Sequence, residues 1–427
     1  MNPDDLAAND AFHTYQIDHG SRFGFPSKSG WCDFAAPLAD LGIFSWFREI
    51  DRDLDHGRVE VVGLGDCLML SGYSYLGLNR RPEIKQAITD AVDRYSSGSA
   101  GSRWLAGHTT IHRELEERLA AIHGAEDSIT FASGFVTNVA VIPALANNRN
   151  DEIFGDRVNH ASLVDGCLNS GAKFTRFRHN QLDELEAKLA SSEAKRKFVV
   201  VDGVASMSGS VCDGHGLTRV CEEHEALLMV DECHSHFVLG ATGGGVREHL
   251  DLNDSQVFDL EMGTLGKALH AAGGYVTGSR DLITYLRRAA RGFIYSRSVS
   301  AIDVASGMAA LDIFEGERDE LVSTLTSNRT AFVNALNANG LQAPHGPSPI
   351  VPIYVGPALA AATAASLCQK RGVFIHPVFP PVVPAGKSIL RASMMANHRT
   401  NDLVEAASVI AESVAEALET SNAEESI

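Results

Sequence analysis

Glu261-Met262-Gly263-Thr264-Leu265-Gly266-Lys267 sets a lysine in a glycine-rich turn directly after a short apolar strand. Upstream, Leu228-Met229-Val230-Asp231-Glu232-Cys233-His234 ends another apolar run on an acid, with a histidine just beyond. An amine in a sheltered turn loses proton affinity by desolvation and becomes able to form an imine. A carboxylate at the end of a buried strand suits the protonated nitrogen of a cofactor ring. Each signal also has a plainer reading: an exposed turn lysine, and an acid capping a neighbouring loop.

Outward from these two stretches, short apolar runs alternate with amphipathic helices. Strands are expected at Ser128–Phe131, Phe198–Val204, Leu227–Asp231, Asp259–Met262 and Gly274–Thr277. The helix Thr110–His123 carries Ile111, Leu115, Leu119 and Ile122 on one side, and Pro82–Tyr95 starts on a proline suited to a first turn. Continuous apolar strands separated by helices imply an α/β fold, a mostly parallel sheet covered on both faces. In such sheets ligands bind beyond the carboxyl ends of the strands. Val59–Leu70 reads as strands joined through Gly63–Gly65, and Ser300–Asn337 as a long, interrupted helical stretch. Beyond about residue 340 a smaller α+β unit is expected: strand Ile350–Val355, helix Ala358–Arg371, a proline-rich segment Pro377–Pro384, strand Ser388–Met394 and helix Asp402–Leu418, then a frayed acidic tail. This organisation divides the chain into an amino-terminal segment 1–58 (with 1–45 an arm), a large domain 59–310 and a small domain 311–427.

Two more strand ends carry chemistry. Ser133-Gly134-Phe135 opens a helix, and free N–H groups there attract an anion; a plain serine cap is the commoner meaning. Asp156-Arg157-Val158-Asn159-His160-Ala161-Ser162 places His160 where an imidazole either enters a helix or stacks on a planar ring.

Composition narrows the partners. A net charge of −18 argues against nucleic acid. No run approaches a membrane span. The start, Met1-Asn2-Pro3-Asp4-Asp5, lacks the basic and apolar pattern of a leader, and the seven scattered cysteines form no Cys-x-x-Cys pair. The expected location is therefore cytoplasmic.

The order of these signals resembles the α-oxoamine synthases, a family of fold-type I enzymes dependent on pyridoxal 5′-phosphate (PLP). The resemblance runs from about Val59 to Glu416. It includes Tyr75-Leu76-Gly77-Leu78, Gly101-Ser102-Arg103, His112-Arg113-Glu114-Leu115-Glu116, Asn159-His160-Ala161-Ser162, Asp202-Gly203-Val204, Asp231-Glu232-Cys233-His234-Ser235, Gly263-Thr264-Leu265-Gly266-Lys267, Phe293-Ile294-Tyr295-Ser296 and Leu390-Arg391-Ala392-Ser393. Gly240-Ala241-Thr242-Gly243 and His376-Pro377 with Pro381 through Pro384 resemble the branch of serine palmitoyltransferases and polyketide-pathway synthases.

The resemblance implies a seven-stranded sheet, a homodimer with shared active sites, and an acyltransferase. Its reaction is a decarboxylative condensation of an amino acid with an acyl thioester, of coenzyme A or of a carrier protein. It implies that Lys267 carries PLP as a Schiff base and moves the α-proton, Asp231 pairs with the ring nitrogen, His160 stacks on the ring and His234 bonds the ring oxygen. Ser133, Gly134, Phe135 and Thr264 would hold the phosphate, with Ser296 and Arg297 reaching a partner's phosphate. Ser206 would support the ring oxygen, Tyr73 and Ser74 would lie near substrate, and Arg391 would grip the amino-acid carboxylate.

Some residues depart from the family pattern. Ser74 stands in place of asparagine, Gly266 lacks a hydroxyl, and His236-Phe237 replaces smaller residues; Phe237 is expected to pack under its loop. Arg297 either contacts phosphate or substrate or faces outward. Arg287, Arg288 and Arg291 form a basic cluster, read first as a solvated face and otherwise as a contact for a thioester donor. Rival functions are aminotransfer, retro-aldol cleavage, and a non-catalytic partner subunit.

Overall fold

The computed structural model describes residues 45–253, 258–380 and 382–424, with 15–17, 26–29, 38 and 41–43. The expected arm 1–45 and Pro381 of the proline-rich segment lie largely or wholly outside the described residues. Within the amino-terminal stretch, β1 (Tyr15–Ile17) pairs antiparallel with β2 (Pro26–Ser29).

Next come β3 (Ile50–Asp53), β4 (Arg58–Val61) and β5 (Gly65–Met69), an antiparallel meander as expected for Val59–Leu70. The central strands are β6 (Asp127–Phe131), β7 (Asp151–Asp156), β8 (Lys173–Phe177), β9 (Arg196–Asp202), β10 (Ala226–Asp231), β11 (Leu260–Thr264) and β12 (Gly274–Gly278). They form one seven-stranded sheet in the order β6-β12-β11-β10-β9-β7-β8. Only β12 runs against the rest among them. Its neighbours in the chain are buried on both faces. On β9, Val199 and Val201 enter one apolar core while Phe198 and Val200 enter the other; on β10, Leu228 and Val230 oppose Met229. That two-sided burial explains why these strands read as continuous apolar runs.

Neither β7 nor β8 carries a long apolar run. β7 carries Asp151, Glu152 and Asp156 yet is fully buried. Its acids are satisfied: Asp151 pairs with Arg196 at 2.6 Å, and Glu152 accepts from Thr175 and Ser192, each at 2.6 Å. β8 is the sheet edge, half exposed, and lacks a long apolar run.

The expected interruption in Ser300–Asn337 is absent. Helix Ala301–Ala338 is continuous over 38 residues, starting from the side-chain cap of Ser300 on Asp303 N–H. Gly316, within it, has open space around it and needs no break. The helix packs on Pro82–Tyr95 and on the last helix. That last helix, expected to end at Leu418, continues to Glu424, because Glu419, Ala423 and Glu424 are good helix formers.

β13 (Ile350–Gly356), β15 (His376–Val378) and β16 (Ser388–Ser393) make a small antiparallel sheet, and β14 (Val373–Phe374) pairs in parallel with β5. The limits expected at 58/59 and 310/311 therefore fall inside β4 and inside the long helix.

One close approach locks the sheet to the helix that follows β6. A Cβ on Gly274 would lie 2.3 Å from Thr137 Oγ1 and 2.7 Å from Gly134 Cα. Gly274→Ala must push that helix start away from β12. The expected cost is about 1–3 kcal/mol, read as a lower urea midpoint with an unchanged slope.

Candidate active site

The carboxyl ends of β9, β10 and β11 and the start of helix Gly134–Leu145 surround a cavity of about 200 Å³. Tyr73, Gly134, Phe135, His160, Asp231, His234, Thr264 and Lys267, all expected at the site, line it. A larger hollow of about 380 Å³ lies at the opposite ends of β9 and β10, where Lys195, Arg196, Leu227 and Tyr285 line it. It brings together none of the acid, amine and imidazole groups gathered at the carboxyl ends, so the smaller cavity is the candidate site.

Asp202 and Asp231 stand side by side because β9 and β10 pair in parallel with these residues in register. Asp231 Oδ2 accepts from Asn138 Nδ2 at 2.8 Å, and its Oδ1 accepts from Cys233 N–H at 3.0 Å. Asp202 Oδ2 accepts from His160 N–H at 2.7 Å. Burial, then the charge of Asp231, holds the Asp202 carboxyl well above the usual carboxylate range.

His160 caps the helix Ala161–Asn169, and its Nδ1 meets Ser162 Oγ at 2.7 Å. The helix-entry reading and the cavity-wall reading are thus both met by one side chain. Burial lowers its pKa, with Asp231 opposing.

Lys267 Nζ lies 2.9 Å from His234 Nε2, and His234 Nδ1 lies 2.6 Å from the hydroxyl of Tyr75. Burial, reinforced by Lys267, Arg391 and His160, pushes His234 well below its ordinary value. The neutral imidazole then accepts from Lys267 at Nε2 and donates from Nδ1 to Tyr75. The expectation that desolvation lowers Lys267 is corrected. Burial does oppose its charge, but Cys233, Tyr75, Asp231 and Asp202 together outweigh it, and the net direction is upward.

At the helix start, Ser133 Oγ is occupied in capping Val136 N–H at 3.2 Å, so Ser133 serves the helix itself. Gly134 and Phe135 line the cavity, and a Cβ on Gly134 would press Met262 Cε at 3.2 Å and Thr264 Oγ1 at 3.4 Å. Thr264 Oγ1 donates to Gly273 O at 2.9 Å and accepts from Gly266 N–H at 3.1 Å. Arg391 is buried, next to the Tyr75 hydroxyl; its Nε donates to Ser206 O at 2.6 Å and Nη1 to Ser393 Oγ at 2.9 Å, while Nη2 has no hydrogen-bond partner among the described residues. Tyr73 lies near both cations, its ring centre 5.4 Å from Arg391 Cζ and 6.0 Å from Lys267 Nζ.

Several expected residues stand apart from the cavity. Ser206 acts through its carbonyl on Arg391. Ser74 Oγ bonds His270 Nδ1 at 3.0 Å. Ser296 is not on the cavity wall, and Arg297 Nη2 donates to Ser99 O at 2.5 Å. Of the basic cluster, Arg288 and Arg291 are exposed as the solvated-face reading expects, while Arg287 is partly buried and pairs with Asp127 at 2.5 Å and Glu116 at 3.4 Å.

Phe237 is fully buried with φ +67°, edge-on to Phe314 and His123. Its packing role stands. Next to it, His236 and His123 stack at 3.7 Å, and each ring reaches the Tyr275 hydroxyl at 2.9 Å; His236 Nε2 lies 3.1 Å from Glu261. Stacked rings point their in-plane lone pairs side by side, so these groups form a hydrogen-bonded chain rather than converge on one ion.

Tyr75, Asn138, Ser162, Asp202, Cys233 and Met262 belong to the site without having been singled out for it. Asp202 was within reach, since it ends β9 as Asp231 ends β10. Asn138 lies one helical turn after Gly134, on the face that sees β10.

A sequence model of the aminotransferase class I and II family matches residues 65–410, and the chain belongs to that family. The 8-amino-7-oxononanoate synthase of Geobacter sulfurreducens is 40% identical over 376 residues, covering 88% of this chain and 95% of its own. The serine palmitoyltransferase of Sphingobacterium spiritivorum is 37% identical over 371 residues, covering 86% and 91%. Among solved structures, serine palmitoyltransferase from S. paucimobilis carrying a PLP–myriocin aldimine matches with a TM-score of 0.86 at 27% identity, covering 91% of this chain and 97% of that one. The fold is that of fold-type I transferases, and the relatives are α-oxoamine synthases.

The acid pair yields a pH test. A folded pKa above the unfolded value of about 3.9 costs no stability below that value, and the cost grows as pH rises toward the folded one. In ligand-free protein, Asp202→Asn should therefore raise the melting temperature at neutral pH. The gap should close as pH falls toward about 4, as read by scanning calorimetry across pH.

Proposed function

We propose that this chain condenses an amino acid with an acyl thioester, releasing carbon dioxide and the thiol, with PLP held at Lys267. The observation that carries the reading is the convergence of Lys267, His234, Asp231, His160 and the Gly134 helix start on one cavity, with Arg391 Nη2 buried and unpartnered beside Tyr73. These residues fit PLP: an amine for its aldehyde, a carboxylate for a cationic ring nitrogen, an imidazole for a ring face and free N–H groups for a phosphate. Bound there, PLP supplies an electron sink for negative charge at the amino-acid α-carbon.

The chain's own groups do the rest. Asp231, fixed by Asn138 and Cys233 N–H, keeps a negative charge facing the ring nitrogen. His160 packs on the ring, worth about 0.5–1.5 kcal/mol if it acts as an aromatic pair. The N–H groups of Gly134 and Phe135 and the Thr264 hydroxyl hold the phosphate at the positive end of the helix. Ser296 and Arg297 extend this set across a homodimer interface. Arg391 binds the substrate carboxylate with its open Nη2, and Lys267 takes and returns the α-proton. Tyr75 is a positioning residue: it orients His234, which bonds the ring oxygen and steers Lys267. The domain division 59–310 and 311–427 assigns the cofactor to the first part and Arg391 to the second. Six free cysteines among the described residues support a reducing, cytoplasmic setting.

The reading is tested by supplying amino acids and acyl thioesters to PLP-loaded protein and measuring thiol and carbon dioxide together. Both should appear only when both substrates are present, and Lys267→Ala should abolish both. A keto acid or aldehyde from amino acid alone would instead identify aminotransfer or retro-aldol cleavage. Arg391→Lys should raise the amino-acid KM by about tenfold or more, because an ammonium cannot form the bidentate contact.

A further inference from the structure

Tyr73, Ser74 and Tyr75 are consecutive, and each side chain addresses the region of Lys267. The Tyr73 ring centre lies 6.0 Å from Lys267 Nζ and 5.4 Å from Arg391 Cζ. The Tyr75 hydroxyl meets His234, which meets Lys267 Nζ. The Ser74 hydroxyl crosses to His270 Nδ1 at 3.0 Å, and His270 N–H donates to Lys267 O at 3.1 Å. A tight turn, closed by Gly77 N–H on Ser74 O at 2.7 Å, makes the three residues one rigid strip.

His270 is an unusual bearer of this contact. Its φ is +49°, in the left-handed region that favours glycine, and burial of its ring lowers its pKa. What the imidazole gains is the bond to Ser74, and its Nε2 has no partner among the described residues. The bond joins two walls of the cavity, the Tyr73 strip and the turn that carries Lys267.

We propose that Ser74 and His270 form a clasp that sets the gap between the Tyr73 ring and Lys267, and thereby the size of amino-acid side chain the site admits. An amino acid with its carboxylate on Arg391 and its α-carbon at Lys267 has the Tyr73 ring against it. Loosening the clasp lets that ring retreat and widens the space for the side chain. This rests on the proposed condensation reading, in which Arg391 holds the carboxylate.

The test uses PLP-loaded wild-type protein, Ser74→Ala, Ser74→Thr, His270→Gly and the Ser74→Ala/His270→Gly double variant. Glycine adopts the left-handed backbone freely, so His270→Gly keeps the turn. Each protein is titrated with the common L-amino acids, following the cofactor's visible absorbance, and assayed for thiol release with a thioester the wild type accepts. Ser74→Ala and His270→Gly should each raise KM for the preferred amino acid about 2–10-fold with kcat and PLP affinity little changed. Both should strengthen binding of bulkier amino acids relative to the preferred one. The double variant should match the singles, and Ser74→Thr should retain wild-type selectivity. Unchanged selectivity in both single variants, or effects that add in the double, would overturn the clasp. Amino acids that perturb the absorbance without thiol release would overturn the condensation and leave the clasp to be judged on the titrations. A wild type that answers to no amino acid would overturn both.

Discussion

Two carboxylates buried in register at the ends of adjacent parallel strands are the constraint around which this site is built. Asp202 and Asp231 repel each other in a setting that solvent screens poorly. Their surroundings answer with donors: Asn138 and Cys233 N–H for one, His160 N–H for the other. None of these donors is a full cation. Burial and the neighbouring charge of Asp231 accordingly hold the Asp202 carboxyl toward its neutral form.

From that pair the remaining placements follow by packing. β12, the reversed strand, lets the chain return between β11 and β6, and Gly274 on it brings the Gly134 helix start against the sheet. The sheet that carries Lys267 and the helix start at Gly134 are therefore held together by one contact between two glycines. The His123–Tyr275–His236–Glu261 chain stiffens the same strand ends from behind, with Tyr275 filling the space that Gly263 leaves open.

Much of this was legible in the residues, and the rest was hidden for identifiable reasons. The strand ends of β10 and β11 announced themselves because their strands are buried on both faces and end in charge. β7 did not, since Asp151 and Glu152 are paired with Arg196 and Lys173 and Glu152 also accepts from Thr175 and Ser192, partners distant in sequence. The long helix nevertheless runs unbroken, with Val304, Leu311, Phe314, Val322, Leu325, Phe332 and Leu336 all entering one core. Tyr75 was visible only as part of a motif; its role depends on a hydroxyl reaching His234, which no local pattern encodes. The direction of the Lys267 shift was hidden for a similar reason, as burial is a property of a turn but the opposing groups, Tyr75, Asp202, Asp231 and Cys233, come from three other segments.

The pairing of β5 with β14 joins Leu68 and Met69 to Val373 and Phe374. Leu70 N–H and O reach Phe374 and Ser393 in the same way. During synthesis β5 emerges long before these partners exist, so its open edge must wait for nearly the whole chain. The central sheet can assemble in the meantime, because β6 through β12 are contiguous. The closing event of folding is then the docking of β14 and β16 onto β5, and it comes late because the loop to be closed is long. Arg391 lies on β16 while Lys267 follows β11 of the central sheet, so these two residues come together only when that docking occurs.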